Sequence, residues 1–390
     1  MSATHTTEST ATSAPVLYLA IELSGLSWKL AFTVGLGQKP RLRTISAGNP
    51  DQLLREIHKA KVRFNLPEET PVISCFEAGR DGFWLHRFLA HHGIQNQVVD
   101  SASIEVNRRQ RRAKSDGLDA TKLVEMLIRW HHGERKVWKV VHVPSVQDED
   151  HRQPHRELME LKAQRTEHVN RIKGLLATLG LRITVDAQLP ERLENLRQWD
   201  GAAVPPQLRQ RILREFQQWQ LVERQIRDLE AQRTKDIRKD STPAGDKMRA
   251  LLQLKGIGEG SVAVLVREFF GWREICNVRE LGSLAGLTPT PYDSGGSRCE
   301  QGISKAGNRR VRWLMIELGW GWLRYQPSSQ LSQWFQRRFG RGNSRLRKVG
   351  IVALARKLLI ALWKYLETGV VPAGAVLRQA RKAVVVKKAS

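Results

Sequence analysis

Residues 16–34 read VLYLAIELSGLSWKLAFTV, two short apolar runs rich in strand-forming residues and separated by a Ser-Gly turn. A third run, PRLRTIS from Pro40, follows another polar turn, so the three read as a meander of strands. Outward from there come helical sequence at 51–63, the strand PVISCF from Pro71, helical sequence at 82–92, the strand NQVVD from Asn96, and helical sequence on both sides of Lys114. Strands that follow one another and then alternate with helices predict an α/β domain over 16–140. Residues 1–15, MSATHTTESTATSAP, are polar and read as a disordered tail.

Carboxylates sit at telling places in this pattern. Glu22 closes the apolar run VLYLAI, a core boundary where a charge needs a partner, and Glu77 follows PVISCF. Asp116 and Asp119 are three apart in KSDGLDATKLVEML, which puts both on one face of a helix. In-line attack on a phosphodiester uses two divalent cations about 3.5–4 Å apart, and hard cations take oxygen ligands. Each acid also has a plainer role open to it. Asp116 and Asp119 suit the first turn of a helix, Glu77 suits a turn before Ala78 and Gly79, and Asp81 and Asp100 are alternative ligands.

The chain carries 64 Lys and Arg against 39 Asp and Glu, a formal charge of +25 that repels itself unless a polyanion neutralises it. Nucleic acid is the implied partner. Arg108, Arg109, Arg111, Arg112 and Lys114 crowd into NRRQRRAK, and the last fifty residues hold twelve Lys and Arg against the single acid Glu367. Cys75, Cys276 and Cys299 are far apart with no CxxC pair, which excludes a disulfide framework or zinc ribbon and fits a reducing cytoplasm. No apolar run reaches the length of a membrane span, so no membrane partner is expected.

Over 141–240 the period changes. Leu158, Leu161, Ile172, Leu175 and Leu179 follow a 3/4 spacing, as do Ile212, Phe216, Trp219, Val222, Ile226 and Leu229. Two long amphipathic helices broken by GAAVPP predict a coiled coil, either an antiparallel hairpin or an intermolecular pair, with Arg165 and His168 interrupting its seam. STPAG at 241–245 reads as a linker, 245–370 as a mainly helical domain, and 371–390 as a basic tail without packing pattern.

Within the helical domain, Lys255, Gly256 and Gly258 in KGIG form a tight turn between apolar helical stretches. Helix-hairpin-helix modules use such a turn to meet phosphates through backbone N–H groups. Further on, Ser294 stands beside Gly295 and Gly296, which permit close approach of a phosphate, and Lys305, Arg309, Arg310 and Arg312 add positive charge. A serine before glycines is by itself as readily a loop as a nucleophile.

Together, the early acidic strand, EAG at 77–79, KSDGLDA at 114–120, GLTPTPYDSGG at 286–296 and GISKAGNRRVR at 302–312 resemble the insertion sequence 110 family of transposases, in order through most of 16–365. The resemblance implies a RuvC-type, ribonuclease H-like DEDD domain whose tetrad is Glu22, Glu77, Asp116 and Asp119. A coiled coil and a transposase domain with Ser294 as nucleophile follow it. Implied with these are two Mg²⁺ ions, with Mn²⁺ as a substitute, donor and target DNA, and an element-encoded noncoding guide RNA. The same resemblance implies a dimer or tetramer in which one subunit's serine completes another's acidic site, in the nucleoid of a bacterial or archaeal cytoplasm. The family's first acid is usually Asp, and Glu22 is one methylene longer. Two other readings remain: a resolvase-like nuclease in which water attacks and Ser294 orders its loop, and a nucleic-acid-binding protein without catalysis.

Overall fold

The computed structural model describes residues 14–79, 82–104, 116–294 and 297–378. It divides into two compact units, Met1–Val143 and Pro144–Ser390.

In the first unit, β1 (Leu17–Leu23), β2 (Ser27–Thr33) and β3 (Arg41–Ser46) form the expected antiparallel meander. Helix α1 (Pro50–Arg63), β4 (Val72–Glu77), α2 (Trp84–His91), β5 (Gln95–Val99) and α3 (Asp116–His131) follow. α1 starts where the Asn49 side chain accepts from Gln52 N, with Pro50 in the first turn, a start signal written in the sequence. The sheet order is β3-β2-β1-β4-β5, and β4 lies parallel to both β1 and β5. β1 is apolar and buried from Leu17 to Ile21 because both its faces are covered there. Leu17, Leu19 and Ile21 pack with Leu53 and Ile57 of α1 and Leu85 and Leu89 of α2, whereas Tyr18 and Ala20 pack with Ala120, Leu123 and Leu127 of α3.

The second unit opens with α4 (Val146–Asp150), which carries a capping box between Ser145 and Asp148. The long helices α5 (Gln153–Ala177) and α7 (Pro206–Lys239) flank the short α6 (Leu189–Asn195). α5 and α7 pair antiparallel within the chain: Lys162 meets Glu230, Arg165 meets Glu223, and His168 meets Glu215 at 2.8 Å. The two polar interruptions of the predicted seam are therefore matched by acids of the facing helix. On either side of them lie the apolar contacts, Leu158 and Leu161 with Val222 and Ile226, and Ile172 and Leu176 with Ile212 and Phe216.

The stretch expected as a linker is instead the capped start of α8 (Pro243–Leu252), with the Thr242 hydroxyl accepting from Gly245 N and Pro243 in the first turn. Then come α9 (Glu259–Leu265), a π-helical turn Val266–Phe270, α10 (Val278–Leu284), the strands β6 (Pro289–Ser294) and β7 (Ser297–Ile303), and the helices α11 (Arg309–Tyr325), α12 (Gln330–Phe339) and α13 (Ser344–Thr368). The part is helical as expected, except for the β6–β7 hairpin. Two glycines between short runs are the sequence signal for such a hairpin. Among the described residues no helix is long and apolar enough to cross a membrane.

Candidate active site

The β1–β4 register pairs Ile21 with Phe76, and one further step sets Glu22 beside Glu77 at the carboxyl ends of two neighbouring parallel strands. Both are half-buried, and both line a cleft with Leu23, Ser24, Gly25, Ala78 and Gly79. Strand alternation places them on the face that carries Tyr18, Ala20 and Cys75, the face covered by α3. The direction of α3 follows from two contacts. The Tyr18 hydroxyl, near the start of β1, shares a 2.9 Å hydrogen bond with His131 at the end of α3, and Cys75 Sγ lies 3.9 Å from Leu123 O. From Leu123 back to Asp119 is about 6 Å of helix. From Cys75 on to Glu77 is about 6.6 Å of strand. α3 thus runs against β1 and β4 and brings its acidic first turn toward the strand ends that hold Glu22 and Glu77. Burial pushes the Cys75 thiol up, and the charge of Glu77 pushes it further.

Asp119 is half-buried in α3; Asp116 is the first residue of that helix, and its side chain lies outside the described residues. So do Asp81 and the basic residues Arg108, Arg109, Arg111, Arg112 and Lys114. Asp100 has a structural task, its carboxylate accepting from Ala102 N at the head of a short 3-10 turn. Among the described residues no three His, Cys, Asp or Glu side chains close around one point. Glu22 and Glu77 thus line one cleft at neighbouring strand ends, and the first turn of α3 runs toward it.

Ser294 ends β6 and pairs with Ser297 of β7. Gly295 and Gly296 lie outside the described residues. At its base the hairpin is fastened to the rest of the unit through residues 304–308. Ser304 N donates to Thr288 O, and Asn308 N donates to Leu284 O. Gly286 and Gly307 both have positive φ and sit where a Cβ would come within 2.3 Å of a carbonyl oxygen, so GLTP and GISKAGN form one close-packed piece. Lys305 and Arg309 are exposed and Arg310 is half-buried. Arg312, expected to supply charge to nucleic acid, donates to Lys305 O at 2.9 Å and so holds this loop.

Sequence reasoning missed Glu268. It is 1% exposed within the π-helical turn, a local geometry that recurs at functional sites. It accepts from His155 Nε2 (2.9 Å), Arg156 Nε (2.7 Å) and Nη2 (3.0 Å), and Asn308 Nδ2 (3.1 Å). Burial alone would raise its carboxyl, but the hydrogen bonds from His155 and Arg156 and their charge hold it well below the usual carboxylate range. Asn308 also caps α11 through Oδ1. One buried carboxylate thus ties α5 to the loop at the base of the serine hairpin. The available signal was an acid inside the apolar run VAVLVREFF. Nearby, burial and the charge of Arg152 lower Arg273 to about 10, and both guanidinium groups lie 4.2 Å from the Trp272 ring.

In the α8–α9 turn Lys255 is exposed, Gly256 has φ +94° with its Cα against Tyr325, and Gly258 faces open space. The C-terminal segment straps across this turn. Gln326 Nε2 donates to both Lys255 O and Val376 O at 2.8 Å, and Arg378 donates to Gln253 O and Ile257 O. Residues 371–378, expected as part of a tail without packing, are built into the unit because their backbone finds partners there.

A family model described as Transposase IS116/IS110/IS902 family matches residues 248–336, which include Ser294. A putative transposase, y4rJ, of Sinorhizobium fredii is 40% identical over 381 residues, covering 93% of this chain and 94% of that protein. A probable family 20 transposase of Pseudomonas aeruginosa is 26% identical over 317 residues, 80% of this chain and 89% of the other. A transposase for insertion sequence element IS1328 of Yersinia enterocolitica is 26% identical over 220 residues, 56% and 63% respectively.

Proposed function

The chain belongs to the IS116/IS110/IS902 family of transposases, and from that premise we propose that it cuts and rejoins DNA with Ser294 as nucleophile and Glu22, Glu77, Asp116 and Asp119 as the acidic site of a ribonuclease H-like domain. The observation that carries the reading is the placement of Glu22 beside Glu77 at the ends of parallel strands, with the acidic end of α3 directed to the same cleft. The four carboxylates would hold Mg²⁺, or Mn²⁺ in its place, which when bound supplies positive charge to the scissile phosphate. Ser294 Oγ attacks phosphorus, its proton passes to a carboxylate, and the P–O3′ bond breaks as a proton is delivered to O3′, leaving a free 3′-hydroxyl and a 5′-phosphoserine link. A 3′-hydroxyl of another strand then attacks that phosphorus and releases the serine, so the energy of the broken bond is kept. Donor and target DNA are the substrates. A noncoding RNA of the element supplies pairing, and copies of the chain assemble so that the serine of one serves the acids of another.

The test is a denaturing gel after incubation with DNA, Mg²⁺ and the element's noncoding transcript. The expected product is a strand linked to protein, present with the wild type and absent with Ser294→Ala, which keeps nucleic-acid affinity because no charge is lost. Free cut ends without an adduct would replace the serine by water. Intact DNA would reduce the protein to a binder.

A further inference from the structure

The strongest unassigned surface lies beyond the residues that the family model matches, at the junction of α12 and α13. From Gly350 onward α13 is packed, with Ile351, Leu354, Ala355 and Leu358 buried. Its first six residues, 344–349, are all exposed, among them Leu346 at 44% and Val349 at 53%. Six residues exceed a full helical turn, so exposure runs around the whole circumference over about 9 Å of helix. This helix end is exposed around its circumference, with Leu346 resting against Gly342 and Val349 half-exposed.

The local architecture is specific. α12 and α13 are joined by the four residues 340–343, and Phe335 and Phe339 of one helix share a core with Ile351 and Leu354 of the other. Gly350 permits the close approach, since a Cβ there would meet the Phe339 ring at 2.5 Å. Ile316 and Leu323 of α11 pack on the same core, completing three helices. Asn343 caps the projecting helix by accepting from Leu346 N at 2.9 Å. Helix, short turn and projecting second helix on a third supporting helix is the plan of helix-turn-helix DNA readers.

Charge selects the occupant. Arg345, Arg347 and Lys348 are exposed on the projection, and Arg337, Arg338 and Arg341 are exposed on the end of α12 and in the turn. From 318 to 366 the sequence contains no Asp or Glu. A second copy would bring the same cations against these, which repel. B-form DNA has a major groove about 12 Å wide, matching a helix about 10–12 Å across, whereas the major groove of A-form RNA is too narrow to admit one.

We propose that α12 and the head of α13 form a helix-turn-helix surface that enters the major groove of duplex DNA, with Arg345, Arg347 and Lys348 at the groove and Arg337, Arg338 and Arg341 on the flanking phosphates. The surface recognises duplex independently of the chemistry at Ser294. Leu346 and Val349 supply apolar contact to thymine methyl groups.

The experiment measures binding of the full chain to B-form duplex DNA, single-stranded DNA and duplex RNA across a salt series, with divalent ions chelated. The proteins compared are the wild type, Arg337→Ala/Arg338→Ala and Arg345→Ala/Arg347→Ala. Because binding is read without cleavage, failure of the serine reading leaves this result untouched. The Arg337/Arg338 variant is expected to lower the salt slope for duplex DNA by about two, one per phosphate contact. The Arg345/Arg347 variant is expected to lose about 10-fold or more in duplex affinity with a smaller loss on single strands, and circular dichroism should be unchanged because the removed groups are exposed. Unchanged duplex affinity in both variants overturns the proposal, as does equal loss on duplex RNA. A change of oligomeric state with unaltered DNA binding would overturn it in favour of a second copy.

Discussion

Glu22 and Glu268 are buried to different degrees and ask different things of their surroundings. Glu22 follows the apolar run of the first strand, and register alone places it beside Glu77. If its charge serves the acidic site, Glu22→Gln should abolish DNA cleavage while Glu22→Asp retains part of it, because the shorter acid keeps the charge and loses only reach. Cleavage is to be followed against Mg²⁺ and Mn²⁺, with thermal melting of each variant; an active, normally stable Gln variant would remove Glu22 from the site. Glu268 is an ion that pairs with the Arg156 guanidinium and shares a hydrogen bond with His155. Its carboxyl is depressed below the ordinary value near 4.5, so the stabilisation it contributes is complete above about pH 4.5 and is lost as pH falls through the folded value. Glu268→Gln should lower stability at pH 7 by about 1–3 kcal/mol, because the half-buried Arg156 guanidinium loses its charged partner. It should also flatten the loss of stability on acidification. Urea unfolding at pH 7 and pH 4 reads both effects, and a Gln variant that weakens with acid as steeply as wild type would contradict the depressed ionisation.

At the level of elements, the β6–β7 hairpin depends on what fastens its base. The loop after β7 bends through Lys305 and Gly307, both at positive φ, and returns to Asn308, which caps α11 and reaches Glu268. At Gly307 a Cβ would fall 2.3 Å from Leu284 O, and that oxygen accepts from Asn308 N. Backbone cannot yield there as a flexible side chain would, so Gly307→Ala should lower stability by a few kcal/mol, combining strain at positive φ with the clash. Gly302, also at positive φ but with nothing within 4 Å of its Cβ position, is the control, and its Ala variant should lose less. Calorimetric melting of the two variants decides; equal losses would mean that strain, and not close packing, governs the loop.

Across the whole molecule, a net charge of +25 makes binding to nucleic acid strongly salt-dependent, and some of the cations also have structural tasks. Arg312 and Arg378 donate to carbonyl oxygens and hold loops. A truncation after Arg378 removes Arg381, Lys382, Lys387 and Lys388 and should leave melting unchanged while reducing the salt slope by at most about four. A truncation after Gly369 also removes the strap over the α8–α9 turn and should lower the melting temperature. Equal melting of the two truncated proteins would show that the strap adds no stability. What the sequence determined by itself is what local pattern can encode: a first strand apolar on both faces, helices with their caps and 3/4 spacing, acids at the ends of strands, and the charge that requires a polyanion. Only tertiary structure decided which of these meet. The adjacency of Glu22 and Glu77 rests on parallel pairing of strands separated by a helix and two further strands. The Glu268 knot joins His155 to a residue 113 positions away and to Asn308. The physical reason is the same in each case: hydrogen bonding and burial depend on distance in space, and the arginine that will grip a phosphate carries the same local sequence signal as one that will satisfy a carbonyl.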